Sequence, residues 1–575
     1  MKIVGIHDGH NASACLVEDG HIVAAIQEER LRREKNWAGF PARSIEFVLR
    51  KGGRGISDID VFAFGGIDMP DQKNLEQRLA FYQRDCYPPP PTGGVVPGLA
   101  RAAGLAALRR WLQAPGPAAE QVRLRAAGTI GIPADRVRFL QHHDCHAAAA
   151  YYGWGRYDQD ILILTNDGEG DKVCATVNIG RQGKIERIAS VDRAESIANL
   201  YAVTTFLLGM TPLEHEYKLM GMAPYVSPRA AARVADKYLR LIRPTDGLGW
   251  QRANGCPPTL HTYSYLRKLL ERDRFDAVCG GLQLFIERRV VDWVRRCIQK
   301  TGLRKLALSG GIFMNVKLNK LIMEMPEVEE LFIFPSCGDE TNCFGAAFQV
   351  QAAQDHRSIR PLGQIYFGGE WSNAEIAKEI ENFSFSSPVT VSEQAAMEKH
   401  VAALIASGHI VARFSGRSEF GARALGNRSI LADPSRGGVV KIINNMIKSR
   451  DFWMPFATSM TDFQARACLS NPKGIPSPYM IMAFDTTEMV RHFPAGVHPQ
   501  DLTVRPQVLD REWNPCFYDL IAEFERLTSR CAPVLNTSFN LHGHPLVESP
   551  RDALDIFSRS GLTHLAIGNL LVEKK

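Results

Sequence analysis

Four arginines crowd the segment Gly416–Arg436 (GRSEFGARALGNRSILADPSR): Arg417, Arg423, Arg428 and Arg436 stand among glycines with only two acids. Guanidiniums at that density repel one another unless an anion lies among them, and each offers a planar fork of donors for phosphate or carboxylate oxygens. A solvated basic loop would explain one such run. Further clusters follow at Lys448-Ser-Arg450-Asp451, at Arg505 and at Asn536-Thr-Ser538-Phe-Asn540. Together they supply cations, an amide and a hydroxyl, the chemistry of an oxyanion-rich substrate.

A second constellation lies upstream. His142-His143-Asp144-Cys145-His146 opens an Ala-rich helical run, so His142 and His146, at i and i+4, share a helix face and could both reach one metal. Asp167 and Asp339 each follow a predicted strand, where ligands bind in α/β sheets. Two imidazoles and two carboxylates suit Fe(II), Mn or Zn alike. Ser309-Gly310-Gly311-Ile-Phe-Met-Asn315 is a glycine turn between a strand and a helix. It permits close backbone approach to a phosphate but lacks the G-K-[ST] of a P-loop. His10, at the end of the first strand, could be a general base, and Lys35 could bind an anion or polarise a carbonyl. Glu216–Pro224 (EYKLMGMAP) is a turn-rich segment that could line the same cleft.

The elements that position these residues are legible in part. Lys2–Ile6, Ala14–Val17 and His21–Gln27 read as strands, with a tight hairpin at Asp19-Gly20. The same order of strand, Asp-Gly loop, strand, hairpin and strand returns over Asp160–Asp192, which predicts a duplicated α/β domain with two facing halves. Gly280–Lys300 reads as helix, and Lys305–Leu308 and Leu331–Phe334 as strands, the second leading through Asp339 into a helix that runs to Ala352. Tyr87–Gly94 (YPPPPTGG) excludes helix and central strand, and Leu99–Ala114 is helical in pattern. Asp68–Val122 therefore reads as a surface insertion, a candidate acceptor-binding wall. Gln351–Pro361 is polar and reads as a linker, which divides the chain into 1–354 and 362–575.

The bulk numbers set bounds. At 575 residues the chain exceeds one core. With 68 basic and 62 acidic residues, any anion site is local, and nucleic-acid binding is not indicated. The twelve cysteines form no C-x-x-C pair, which argues against a disulfide scaffold or zinc ribbon and for a reducing cytoplasm. Asp8 and His10 interrupt the first apolar run, so a secretory signal is not expected, and no window predicts a membrane span.

Eight blocks occur in this order: MKIVGIHDGHNASACLVEDG, EERLRREKNWAGFP, HHDCHAAAAYY, EYKLMGMAPY, LSGGIFMNVKLN, GRSEFGARALGNRSILADPSR, IKSRDFWMPFATSM and LNTSFNLHGHPLVESP. They resemble the NodU/CmcH family of O-carbamoyltransferases from one end of the chain to the other. The resemblance implies an actin/sugar-kinase-like duplicated N-terminal domain and a YrdC-like α/β C-terminal domain. It implies ATP (with Mg) and carbamoyl phosphate as substrates, a carbamoyl-adenylate intermediate, an iron ion and a hydroxyl-bearing small-molecule acceptor, in a monomer or homodimer. By motif, His142, His146, Asp167 and Asp339 would hold the metal, and His10, with Lys35 nearby, would deprotonate the acceptor. Gly310, Gly311 and Asn315 would border the nucleotide. Arg417, Arg423, Lys448, Arg505 and Ser538 would form the activation site. The chain departs from the family pattern at Asp501–Gln507, where Leu502 and Val504 replace the usual Gly and Ala, and at Ala422, where Pro is usual. Asp68–Val122 aligns with nothing in the family. A sugar-kinase-like phosphotransferase would leave the arginines and the histidine pair idle, and an ATP-gated binding protein would consume no carbamoyl phosphate.

Overall fold

Short apolar runs closed by tight turns build the first sheet. In the computed structural model, which describes residues 1–70, 72–86 and 119–575, these runs are β1 (Lys2–His7), β2 (Ser13–Glu18), β3 (His21–Gln27), β4 (Val61–Gly65) and β5 (Val137–Leu140). They lie in the order β3-β2-β1-β4-β5. The β2–β3 turn uses Asp19 and Gly20 at φ 47° and 80°, the double positive φ that matches strand twist and that Asp-Gly tolerates.

The same plan recurs. β6 (Ile161–Gly170), β7 (Val173–Arg181) and β8 (Lys184–Asp192) form an antiparallel meander. A short hairpin, β9 (Ile242–Pro244) and β10 (Trp250–Arg252), stands apart, and β11 (Lys305–Ser309) and β12 (Glu330–Ile333) complete the second sheet. Its order, β8-β7-β6-β11-β12, repeats the first, with antiparallel pairs on one side of the central strand and parallel pairs on the other. The β7–β8 turn repeats the first too, with Gln182 and Gly183 at φ 48° and 79°. The duplication expected from the sequence is therefore present in the strand topology.

Helices His142–Trp154 and Asn342–Asp355 pack against each other beside these sheets. A Cβ at position 345 would lie 1.9 Å from the Cys145 carbonyl oxygen, and one at position 5 would lie 1.9 Å from that of Cys343. Only glycine admits those approaches, and they fix the starts of both helices relative to β1.

The C-terminal part holds an eight-stranded mixed sheet. Its strands, with a small hairpin formed by β17 (Leu469–Ser470) and β18 (Asp485–Thr486), are β13 (Val389–Glu393), β14 (Val411–Phe414), β15 (Arg428–Ala432), β16 (Ala457–Thr461), β19 (Pro506–Leu509), β20 (Val534–Ser538), β21 (His564–Ile567) and β22 (Leu570–Lys574). The order is β13-β22-β21-β14-β15-β20-β16-β19. Phe484, Phe493 and Val504 belong to the same apolar core as Phe313, Leu318 and Ile322. Asn319 Nδ2 donates to the Ile481 carbonyl at 2.7 Å, and Lys473 Nζ donates to the carbonyls of Met323, Met325 and Val328. A cut near 354–362 would expose this shared core.

Two expectations change. The polar stretch 351–361 is not a free linker: helix Asn342–Asp355 runs through its start, and buried Gln351 donates from Nε2 to Ser358 Oγ at 2.7 Å. Nor is all of Asp68–Val122 a surface insertion. Helix Leu75–Cys86 buries Arg78 and Tyr82, and helix Ala119–Gly128 buries Arg123 just beyond the expected boundary. The readings at Tyr87–Gly94 and Leu99–Ala114 lie outside the described residues.

Candidate active site

The four expected metal ligands converge. His142 and His146 project from the first turns of their helix; Asp167 sits where the β6–β7 register is interrupted, and Asp339 lies beyond β12. One ligand atom from each lies within 4.8 Å of all the others. His142 Nε2 is 3.1 Å from His146 Nε2, 3.4 Å from Asp339 Oδ1 and 3.5 Å from Asp167 Oδ2. Among the described residues, Asp339 Oδ1 is buried without a hydrogen-bond partner. An orphaned carboxylate oxygen facing two imidazole nitrogens is a donor set for a divalent first-row cation, with no sulfur to favour a softer one.

Neighbours orient these ligands. Ser309 Oγ lies 3.1 Å from His146 Nδ1, leaving Nε2 to face the group. Asp171 accepts from the backbone N–H of His142 and from those of Ile67 and Asp68, tying the helix start to the end of β4. Gly311 N–H donates to Asp167 Oδ1 at 2.8 Å. Burial opposes charge on His142, but the Asp339 and Asp167 carboxylates overcome it and push the imidazole up to about 10. Burial raises Asp339 in turn, yet His142 and His146 prevail and hold it well below the usual carboxylate range.

The loop after β1 faces this group. His7 is buried, its Nε2 is 4.0 Å from Asp339 Oδ2, and it is 3.1 Å from the carbonyl of His10. The His10 carbonyl thus lies near the group through His7, and its backbone is bridged to Ala38. Asp8 takes a bidentate ion pair from Arg123 at 2.7 and 2.9 Å, with both side chains 1% exposed. The glycine turn serves the metal group. Gly310 adopts φ 109° against the Asn166 backbone. Asn315 caps helix Val316–Glu324 by accepting from Leu318 N–H, and its amide pairs with that of Gln283.

The expected anion site is only partly assembled from the arginine run. Arg428 is buried and donates to four carbonyls, those of Ser415, Asn427, Gly369 and Gly416. Arg417 donates to the carbonyls of Val23, Phe367 and Gly368, clamping the C-terminal part to β3, and Arg436 pairs with Asp433. Of the four, only Arg423 is left to meet other cations. Burial and the proximity of Arg450 depress it, while burial, Arg423 and Arg450 push Arg505 well below its usual value. Among the described residues, none of Arg423, Arg450 and Arg505 has a carboxylate ion-pair partner. Lys448 is buried, and among the described residues its ammonium is held by neutral acceptors of Ser538 and Asn540. Burial, then Arg450 and Lys35, push it well below the usual lysine range.

Lys35 therefore lies within electrostatic reach of Lys448. It pairs with Glu214 at 2.8 Å and shares its surroundings with Lys218 and His542. Segment Glu216–Pro224 docks the Lys448–Arg450 loop. Lys218 pairs with Asp451 at 3.0 Å, its carbonyl accepts from Trp453 Nε1, and a side chain at Gly221 would press on Met454. The two clusters meet where Ala422 N–H donates to Ser336 Oγ at 3.2 Å, one residue before Arg423 and three before Asp339.

Sequence reasoning missed His7, Asp171 and Arg123 as supports of the site and read Ser309 only as part of the glycine turn. His7, directly before Asp8 and three residues from His10, carried a signal; Arg123, inside an Ala-rich helix, carried none.

Residues 2–348 match the family model described as Carbamoyltransferase N-terminus, and residues 402–574 match Carbamoyltransferase C-terminus. Nodulation protein NolNO of Sinorhizobium fredii is 30% identical over 572 residues, covering 98% of this chain and 79% of that protein. Nodulation protein U of the same organism is 31% identical over 283 residues, covering 48% of each. Among solved structures, full-length HypF in its phosphate- and nucleotide-bound form overlaps loosely. Its TM-score is 0.33 at 12% identity, covering 62% of this chain and 56% of that one.

Proposed function

The chain belongs to the carbamoyltransferase family, and we propose that it is an ATP-dependent O-carbamoyltransferase working through two sites. One observation carries the reading. A nitrogen- and oxygen-rich metal group and a cluster of three guanidiniums and an ammonium, none of them paired to a carboxylate among the described residues, meet where the Ala422 loop touches the Ser336 loop. Carbamoyl phosphate and ATP are polyanions, and assembling both requires dense cations. Arg423, Arg450, Arg505 and Lys448 supply them, with Lys35 extending the cluster from the other side of the boundary and Ser538 holding Lys448.

In this reading the C-terminal part, YrdC-like in its blocks, forms carbamoyl-adenylate. A carbamoyl oxygen attacks the α-phosphorus of ATP, pyrophosphate leaves, and the phosphate of carbamoyl phosphate departs with the oxygen of one water. The adenylate is hydrolysed readily, so passage across the Ser336 contact into the actin/sugar-kinase-like part protects it. There His142, His146, Asp167 and Asp339 would hold iron, which when bound polarises the carbamoyl group. His10 takes the proton of the acceptor hydroxyl, the alcohol oxygen attacks the carbamoyl carbon, and AMP leaves. Gly310 and Gly311 keep that wall close to the nucleotide, while Asn315 acts from behind as a helix cap. The acceptor is a hydroxyl-bearing small molecule.

Exchange of labelled pyrophosphate into ATP tests the reading without an acceptor. Exchange should require carbamoyl phosphate, vanish in Lys448→Ala and persist in His10→Asn. Exchange that ignores carbamoyl phosphate, or ADP as the final nucleotide product, would sink it and favour a phosphotransferase.

A further inference from the structure

The loop that carries Asp339 and the loop that carries Arg423 are joined by one hydroxyl. Ser336 is buried; its Oγ–H donates to Glu340 Oε1, and its Oγ accepts from Ala422 N–H at 3.2 Å. Its backbone stands at φ 54°, a conformation that serine keeps only when its surroundings hold it there. Gly421 faces it at φ 93°, and a Cβ there would come within 2.5 Å of Ser336 Cβ. Two further bonds grip Gly421 from the N-terminal part: its N–H donates to Gln27 Oε1 at 3.1 Å, and its carbonyl accepts from Arg30 Nη2 at 2.6 Å. Those two come from the end of β3 and the helix that follows, not from the Asp339 loop. They keep Gly421 docked whether or not the Ser336 bond exists. Among the described residues, the Ser336–Ala422 bond is the one hydrogen bond that ties the cation loop to the metal-ligand loop.

We propose that Ser336 is a positioning residue that couples the two sites. An ion held by His142, His146, Asp167 and Asp339 tightens the hold of Arg423, Arg450 and Arg505 on a phosphate group, and a phosphate there tightens the ion. An ion on Asp339 fixes the Ser336–Glu340 loop. The Ser336–Ala422 bond passes that ordering to Arg423, whose guanidinium is otherwise repelled by Arg450 and Arg505. Linkage requires the same factor in both directions, commonly about 5- to 150-fold. The inference rests on the activation-site reading only for the phosphate character of the anion.

The test uses the full chain, metal-free or loaded with Mn(II) and desalted, titrated calorimetrically with inorganic phosphate. The wild type should bind phosphate about fivefold or more tightly when loaded. Ser336→Gly removes the hydroxyl while accepting the positive φ, and Ala422→Pro removes the N–H and fixes φ at about −65°. Both should keep the wild-type metal content and melting temperature, with the coupling reduced below about twofold. A wild type whose phosphate affinity ignores the metal, or an Ala422→Pro protein that keeps full coupling, would overturn the proposal. If Ser336→Gly fails to fold, Ala422→Pro decides alone. Loss of carbamoyl-phosphate-dependent exchange with coupling intact would count against the carbamoyltransfer reading and not against this one.

Discussion

An ion entering the metal group must displace a proton from His142. Burial alone would lower this imidazole, but Asp339 at 3.4 Å and Asp167 at 3.5 Å lift it from 6.5 to about 10. Only neutral imidazole ligates. At pH 7 roughly one His142 in 10³ is neutral, so apparent metal affinity should tighten about tenfold per pH unit between about 7 and 9. Asp339 adds no second proton, being held well below the usual carboxylate range already. About one proton should therefore leave per ion bound. The stability of the metal-free protein runs the other way. A folded value above the unfolded one stabilises fully below pH 6.5 and loses that contribution as pH rises through about 10, at up to ~1.4 kcal/mol per unit. Mn(II) titrations at pH 7 and 8, in buffers of different ionisation enthalpy, measure both affinity and proton release. His142→Gln should abolish the release. Release of fewer than about 0.3 protons, or an affinity change under about twofold, would refute the argument.

Four further outcomes follow from named contacts. Ser309→Ala removes the partner of His146 Nδ1 at 3.1 Å; metal affinity by chelator competition should fall about 10- to 100-fold. Gly311→Ala places a Cβ 2.6 Å from Asp167 Oδ1 and should lower metal content in elemental analysis, whereas unchanged content would show that the turn yields. Arg505→Ala relieves repulsion with Arg423 and Arg450. It should raise the melting temperature of the ligand-free protein while pyrophosphate exchange falls about 10²-fold or more. Asp8→Asn strands the Arg123 charge, with both side chains 1% exposed, and should cost about 3–5 kcal/mol in denaturant unfolding.

Local chemistry made much of the first sheet readable. The limits of β1 and β2 are legible to within a residue at either end and those of β3 in full, because short continuous apolar runs and an Asp-Gly turn are short-range signals. The duplication was visible for the same reason, and the i, i+4 spacing of His142 and His146 put both on one face before any fold was known. Composition also pointed to a gathering of cations in the C-terminal part, where Arg423, Arg450 and Arg505 influence one another.

What the arginines do there was decided only by the tertiary structure. Arg417, Arg423, Arg428 and Arg436 read alike in sequence, yet backbone carbonyls take Arg417 and Arg428, Asp433 takes Arg436, and Arg423 alone joins Arg450 and Arg505. Asn315 resembled a nucleotide contact but caps a helix, and Lys35, paired with Glu214, lies within electrostatic reach of Lys448. Asp8 and Arg123 meet across 115 residues. A side chain's type fixes which partners it can accept, and the sequence states that outright. Which partner it receives depends on chain segments brought together by packing, and no local pattern records that choice.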